Sequence, residues 1–216
     1  MNTPYFLVAV IVLYFIPHNS LAQESTYRND LELWNSLEFS VEPVKDFTLN
    51  ISNSFRLKNN ISQFKSNVTE LSGDYKFNKY IGSGGGLRFT ITDYQRLKRW
   101  FVDVSFRVKK KPFSFSYRAR FHHEFSSNDF TENFWRSKFT VKYELSKKID
   151  FFTANEWFYQ FYYKGNRWQR TRIYAGIDFN LPKKFSIELY YMLEKQFNMA
   201  FPMNAHTIAW TLKYSL

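Results

Sequence analysis

Arg118, Arg120, His122 and Glu124 stand at every second position of the stretch FSFSYRARFHHEF, residues 113–125. Guanidinium groups grip carboxylates and phosphates with paired hydrogen bonds. A histidine beside a carboxylate can move a proton. The spacing of two puts all four side chains on one face of an extended chain, and Phe113, Phe115, Tyr117 and Phe121 on the other. The same charged face recurs along the chain. Arg56, Arg88, Arg107, Arg136, Arg170 and Arg172 supply further cations. Glu144, Glu156, Asp178, Glu188 and Glu194 supply the anions. With the signs nearly balanced, the expected chemistry is a network of mutually paired charges. An anion-selective pore needs a cationic surplus on this face, and none is visible.

Catalytic groups are scarce. Past the first twenty residues the histidines are His122, His123 and His206. A hydroxyl nucleophile needs a histidine within hydrogen-bond reach. His123 lies near Ser126 and Ser127, and His206 precedes Thr207, but no His-x-Ser pair stands on one strand. No catalytic residue is assigned. Calcium loops and His-x-x-x-His pairs are missing as well, so neither metal nor cofactor is expected. The run Gly82-Ser83-Gly84-Gly85-Gly86 lacks the Gly-Lys-Ser/Thr of a phosphate loop, and it reads as strand bending or added room on the polar face. With no cysteine, disulfides, thiol catalysis and cysteine-ligated metals are excluded.

The elements that must carry these residues follow from the same alternation. Apolar and polar residues exchange places at period two through eleven segments, an all-β signal. The segments at 66–77, 80–92 and 151–161 are the weak ones. Tight turns at 43–46, 78–79, 109–112, 146–150 and 182–184 alternate with longer polar connections at 58–65, 92–98, 126–133, 162–168 and 197–205. Short turns at one end and long loops at the other are the habit of outer-membrane barrels. The fold expected is an antiparallel up-and-down transmembrane β-barrel of about 12 strands, with 10 possible, short periplasmic turns and longer extracellular loops. An even count requires one more strand, and residues 23–30 are the candidate, as a short strand or a plug in the lumen. The apolar face then meets lipid and the charged face lines the lumen.

Composition agrees. Aromatic residues make up 21% of the 216 residues, yet mean hydropathy is -0.45. A chain with one lipid-facing and one polar surface reconciles the two. Trp34, Trp100, Trp135, Trp157, Trp168 and Trp210 are expected in aromatic girdles at the two interfaces. The net charge of +11 is attributed to turns and loops, including Lys109–Lys111, Lys147, Lys148, Arg96, Lys98 and Arg99. Its scatter over both ends argues against nucleic acid and for attraction to anionic lipid head groups.

Residues 1–22 read as a signal peptide. The apolar run from Tyr5 to Ile16 is too short to span a bilayer, and Ser20-Leu21-Ala22 offers a cleavage site. No second run of spanning length exists, so only a closed barrel could cross a membrane. The final TIAWTLKYSL resembles the signal read by the outer-membrane barrel assembly machinery, with Leu216 at the position where Phe is usual.

Several clusters resemble a family of Gram-negative envelope proteins known as domain of unknown function 2490. They are Leu33-Trp34, Arg56, the run from Tyr117 to Glu124, and Phe134-Trp135-Arg136. The stretch from Asn155 to Tyr159 and Arg170-Thr171-Arg172 continue the match. The resemblance covers roughly residues 31–216. It implies an outer-membrane-type barrel and carries no activity.

The role expected is structural, or small-solute permeation through a charge-paired lumen. The implied partners are outer-membrane lipid and lipopolysaccharide, with a monomer favoured. Two alternatives stand beside it. One is a soluble periplasmic barrel that holds an apolar ligand against the Phe113/Tyr117/Phe121 face. The other is a lipid-modifying outer-membrane enzyme using His123.

Overall fold

Alternating side chains, with glycine and proline rare among them, give long strands whose backbone groups must pair with neighbours. The computed structural model describes residues 28–126, 131–161, 165–199 and 201–216. Eleven strands run through them. They are β1 (Arg28–Val44), β2 (Phe47–Lys58), β3 (Gln63–Lys76), β4 (Ile81–Ile91), β5 (Arg96–Lys110) and β6 (Phe113–Ser126). β7 (Thr131–Ser146), β8 (Ile149–Phe161), β9 (Arg167–Asn180), β10 (Phe185–Gln196) and β11 (Met203–Ser215) complete the set. The three weakly patterned segments are all strands, as β3, β4 and β8. Even the shortest, β4 with 11 residues, extends about 36 Å at 3.3 Å per residue. That is enough to cross a hydrocarbon core when tilted.

Each strand pairs antiparallel with the next, and the sheet closes on itself. The closure joins β1 to β11 in parallel, in unbroken register from Arg28↔Met203 to Ser40↔Ser215. This parallel contact is a matter of parity. In an odd-stranded meander the first and last strands run the same way. The direct β1–β11 pairing leaves no room between them for the twelfth strand that the even count suggested. Residues 28–30 of that candidate belong to β1, with Asp30 opposite Ala205. Residues 23–27 and the candidate signal peptide lie outside the described residues.

The short connections at one end are 45–46, 77–80, 111–112, 147–148 and 181–184. At the other end they are 59–62, 92–95, 127–130, 162–166 and 197–202. The sorting of lengths is milder than the polar composition suggests, because the strands run on into segments expected to be loop. Arg96, Lys98 and Arg99 are strand residues of β5 rather than loop residues.

The outer surface is apolar. Leu71, Val102, Ile51, Leu189 and Ile208 are each about half exposed there. Phe115 and Tyr117 belong to the same outward set. Arg120 and His122, on the opposite parity of β6, are buried inside. The alternative of an apolar ligand inside a soluble barrel therefore fails on orientation: the greasy face is the exterior and the lumen carries the charges. Of the six tryptophans, Trp100, Trp135, Trp168 and Trp210 are exposed on the outside. Trp34 is the exception. It shares its parity with Glu32 and is buried within the barrel.

Candidate functional site

Strand register brings opposite charges together across the inner wall. Glu70 on β3 lies directly opposite Arg88 on β4, and Arg88 Nε donates to Glu70 Oε2 at 2.6 Å. Asp103 on β5 lies opposite Arg120 on β6, which donates from Nε at 2.9 Å and Nη2 at 2.6 Å. Arg99 lies opposite Glu124 and pairs with it. Arg172 lies opposite Glu194 and donates from Nε at 2.6 Å, with Arg170 Nη1 3.8 Å from the same carboxylate. Lys142 pairs with Asp178, and Lys213 Nζ donates to Glu188 at 2.6 Å. Cross-strand neighbours are the unit of interaction in a sheet, so register chooses the partners.

Glu156 on β8 is the most heavily shared carboxylate. Its Oε1 accepts from Arg136 Nη2 at 2.7 Å and Nε at 3.2 Å, and from Arg118 Nη2 at 3.5 Å. Its Oε2 accepts from the Tyr174 hydroxyl at 2.9 Å, with Arg172 Nη1 at 4.0 Å. Only 1% of its surface is exposed. The carboxylate sits where four hydrogen-bonding or ionic neighbours converge, which is how a charge is held away from bulk water.

Aromatic rings fill the space between these pairs. Trp34, Phe101, Phe134, Phe158 and Tyr174 point inward and are buried. The guanidinium of Arg56 lies 3.8 Å from the Trp34 ring centre, and that of Arg120 lies 3.6 Å from Phe101. Three guanidiniums, of Arg136, Arg170 and Arg172, lie within 4.8 Å of Phe158. A planar cation on a ring face keeps its charge and packs like an apolar group, so these contacts hold arginines without a carboxylate apiece. Trp34 Nε1 donates to Glu32 at 2.9 Å, and Lys65 Nζ donates to the same carboxylate at 2.5 Å.

The result is a dry central layer. Phe134, Phe158, Met192, His122, Gln160, Glu32, Glu156 and Thr207 are all exposed by less than 2%. Towards the end with the shorter turns the packing opens. A cavity of about 470 Å3 runs along the inner wall of β1 to β6, from Glu38, Glu70 and Asp103 to the 77–80 turn. Gly82 forms part of its floor. A methyl group on Gly84 would stand 2.3 Å from Asp74 Oδ1 and 3.1 Å from Asp103 Oδ1. Glycine there gives two carboxylates a place to lie.

Twelve of the expected lumenal charges are engaged along the inner wall, in two larger clusters and several separate contacts: Arg56, Arg88, Arg118, Arg120, Glu124, Arg136, Glu156, Arg170, Arg172, Asp178, Glu188 and Glu194. Two are not. Arg107 lines the cavity, apart from the packed layer. Glu144 lies at the turn-end rim, with Lys111 Nζ at 3.0 Å and Lys109 Nζ at 3.4 Å. Arg56 belongs through its ring contact and a 3.3 Å bond from Nε to Ser54 Oγ rather than through a carboxylate. Sequence reasoning missed Arg99 and the inward aromatics. Parity held the signal: Trp34 alternates with Glu32, Phe101 with Asp103, Phe134 with Arg136, and Phe158 with Glu156.

The histidines have other company. His122 packs on Phe134 with ring centres 5.0 Å apart, and neither ring nitrogen has a partner. His123 faces outward, where Nδ1 meets Asn133 Oδ1 at 2.5 Å and the ring stacks on Trp100. His206 Nδ1 meets the Tyr191 hydroxyl at 2.6 Å. Among the described residues no serine or threonine hydroxyl is bonded to a histidine; Ser127 lies outside them. The described residues also hold no group of three or more potential metal ligands.

Among curated proteins none matches the sequence. Among solved structures, the NanC porin aligns with a TM-score of 0.49 and 13% identity, over 76% of this chain and 86% of that one. OmpT of Vibrio cholerae aligns with a TM-score of 0.45 and 12% identity, over 71% of this chain. The chain spans about half of OmpT, 52% of its length. The model of one protein family, "Protein of unknown function (DUF2490)", matches residues 31–204. Those residues carry β1 from Leu31 onward, β2 to β10, and the inward charges up to Glu194, and the chain belongs to the DUF2490 family.

Proposed function

We propose that the protein is an outer-membrane barrel with a closed lumen, a structural component of the envelope rather than an open diffusion pore. The observation that carries this reading is the dry layer of Phe134, Phe158, Met192, Glu156 and their neighbours across the barrel interior. An aqueous channel keeps its wall residues wet, and these are not. The apolar exterior supports placement in a bilayer, with outer-membrane lipid and lipopolysaccharide against it. The short turns would face the periplasm, and β11 would be the strand that the barrel assembly machinery reads during insertion. A monomer satisfies the barrel's own backbone pairing, since the closed sheet has no free edge. Catalysis is not part of the proposal, because no described histidine is poised beside a serine or threonine nucleophile.

Planar-bilayer recording of the refolded chain tests the closed lumen. The expected result is silence from inserted protein, and steady openings once Phe134 and Phe158 are both replaced by Ala. Steady openings from the unaltered chain would overturn the reading.

A further inference from the structure

Four of the charges that line the turn-end cavity are left unpaired or loosely paired. On one wall, Asp74 accepts only from Asn50 Nδ2, at 2.7 Å. Glu38 has no hydrogen bond or ion pair, because its cross-strand neighbour Lys213 is engaged by Glu188 at 2.6 Å. On the other wall, Arg107 has no carboxylate partner. Arg118 reaches Glu156 with a single nitrogen at 3.5 Å and lines the cavity with the rest of its guanidinium. Of the other charges in the lining, Glu70 and Asp103 are paired with Arg88 and Arg120, and Lys76 and Lys79 stand at the turn-end rim, whereas the unpaired Glu38 and Asp74 stand on β1 and β3 and Arg107 and Arg118 on β5 and β6, around about 470 Å3 of space. Between them the lining is neutral and hydrogen-bonding: Thr48, Asn50, Ser52, Ser72 and Ser105. Gly82 keeps the floor clear.

We propose that this cavity is a binding site for a short zwitterionic peptide: its ammonium group on the Glu38/Asp74 wall, its carboxylate on Arg107 and Arg118, and its amides on the hydroxyl lining. The volume lies within the range of small-molecule sites. The chemistry follows from the walls. A simple anion leaves the carboxylates unpaired, a simple cation leaves the guanidiniums unpaired, and a neutral sugar leaves both. Separated charges with a polar middle satisfy the unpaired carboxylates and guanidiniums together. The site opens at the turn end, so it is reachable from one side whether or not the lumen conducts.

Isothermal titration of the refolded full chain in detergent tests the proposal, with triglycine as the probe. Saturable binding is expected at about 10 mM ligand or below. N-acetyltriglycine and triglycinamide each lack one charge, and each should bind about tenfold or more weakly, the loss of one charge-assisted contact. Glu38→Gln with Asp74→Asn should abolish the preference for triglycine over N-acetyltriglycine. Arg107→Gln, at the exposed margin, should abolish the preference over triglycinamide, and it keeps the test intact if the double variant fails to refold. No saturable triglycine binding, or equal binding of all three probes, overturns the assignment. Silence or conductance in the bilayer experiment leaves this result unaffected, so the two readings fail separately.

Discussion

Glu156 gathers Arg136, Arg118, Arg172 and the Tyr174 hydroxyl around one buried carboxylate. Removing one partner of a buried pair costs more than the pair contributes, because the other charge is left uncompensated. Glu156→Ala is therefore expected to lower unfolding stability by about 3–5 kcal/mol, read from urea titration in lipid vesicles. Glu156→Gln keeps the volume and most hydrogen bonds, and should fall between. Glu144→Ala removes a carboxylate that is paired only at the rim, and should leave the midpoint where it was. Equal effects of Glu156→Ala and Glu144→Ala would mean that water reaches the lumen throughout. The inward side chains were legible in the sequence because parity alone decides which face a residue takes. Their partners were not. Pairing Asp103 with Arg120 rather than with another of the arginines requires the register, and register depends on turn geometry that composition does not specify. Trp34 was assigned to the outer girdle by residue type, against its own parity with Glu32. The structure sides with parity, since Arg56 offers the ring a cation to stack on.

At the scale of the elements, strand identity was readable and strand ends were not. Alternation marks a strand until the hydrogen-bonding partner runs out, and polar residues such as Arg96 to Lys98 pair as well as apolar ones do. The connection between β2 and β3 shows the cost of a tight turn. Asn59, Asn60 and Ile61 take φ values of 52°, 54° and 66° in succession. Asparagine tolerates the left-handed region, whereas a β-branched residue is strained there. Ile61 is held by its amide donating to Leu31 O at 3.1 Å, beside the Asn60 amide donating to Asp30 Oδ1 at 3.0 Å. Replacing Ile61 with Gly should relieve the strain and raise stability by about 1 kcal/mol, less than the full penalty because glycine gains entropy when unfolded. A lower urea midpoint for Ile61→Gly would show that the Ile61 side chain contributes packing that outweighs the strain.

Over the whole molecule, the closure decides what the even-number rule could not. The sequence held eleven alternating segments, and counting them was sufficient. The prior for even barrels argued for a twelfth, but β1 and β11 pair in parallel over thirteen positions and complete the cylinder without one. Parallel closure has a consequence for sidedness. β1 begins at Arg28 beside the longer connections, while β11 ends at Ser215 beside the shorter ones. The two extremities of the barrel thus emerge on opposite faces of whatever membrane holds it, where an even-stranded meander brings them out together. An epitope placed just ahead of Arg28 should be labelled by antibody on intact cells, and one placed after Leu216 only once the cells are opened. Joining the extremities into a circle would take a connector as long as a strand, about 43 Å for the thirteen residues of β11. A two-residue hairpin, sufficient for an even barrel, cannot make that reach.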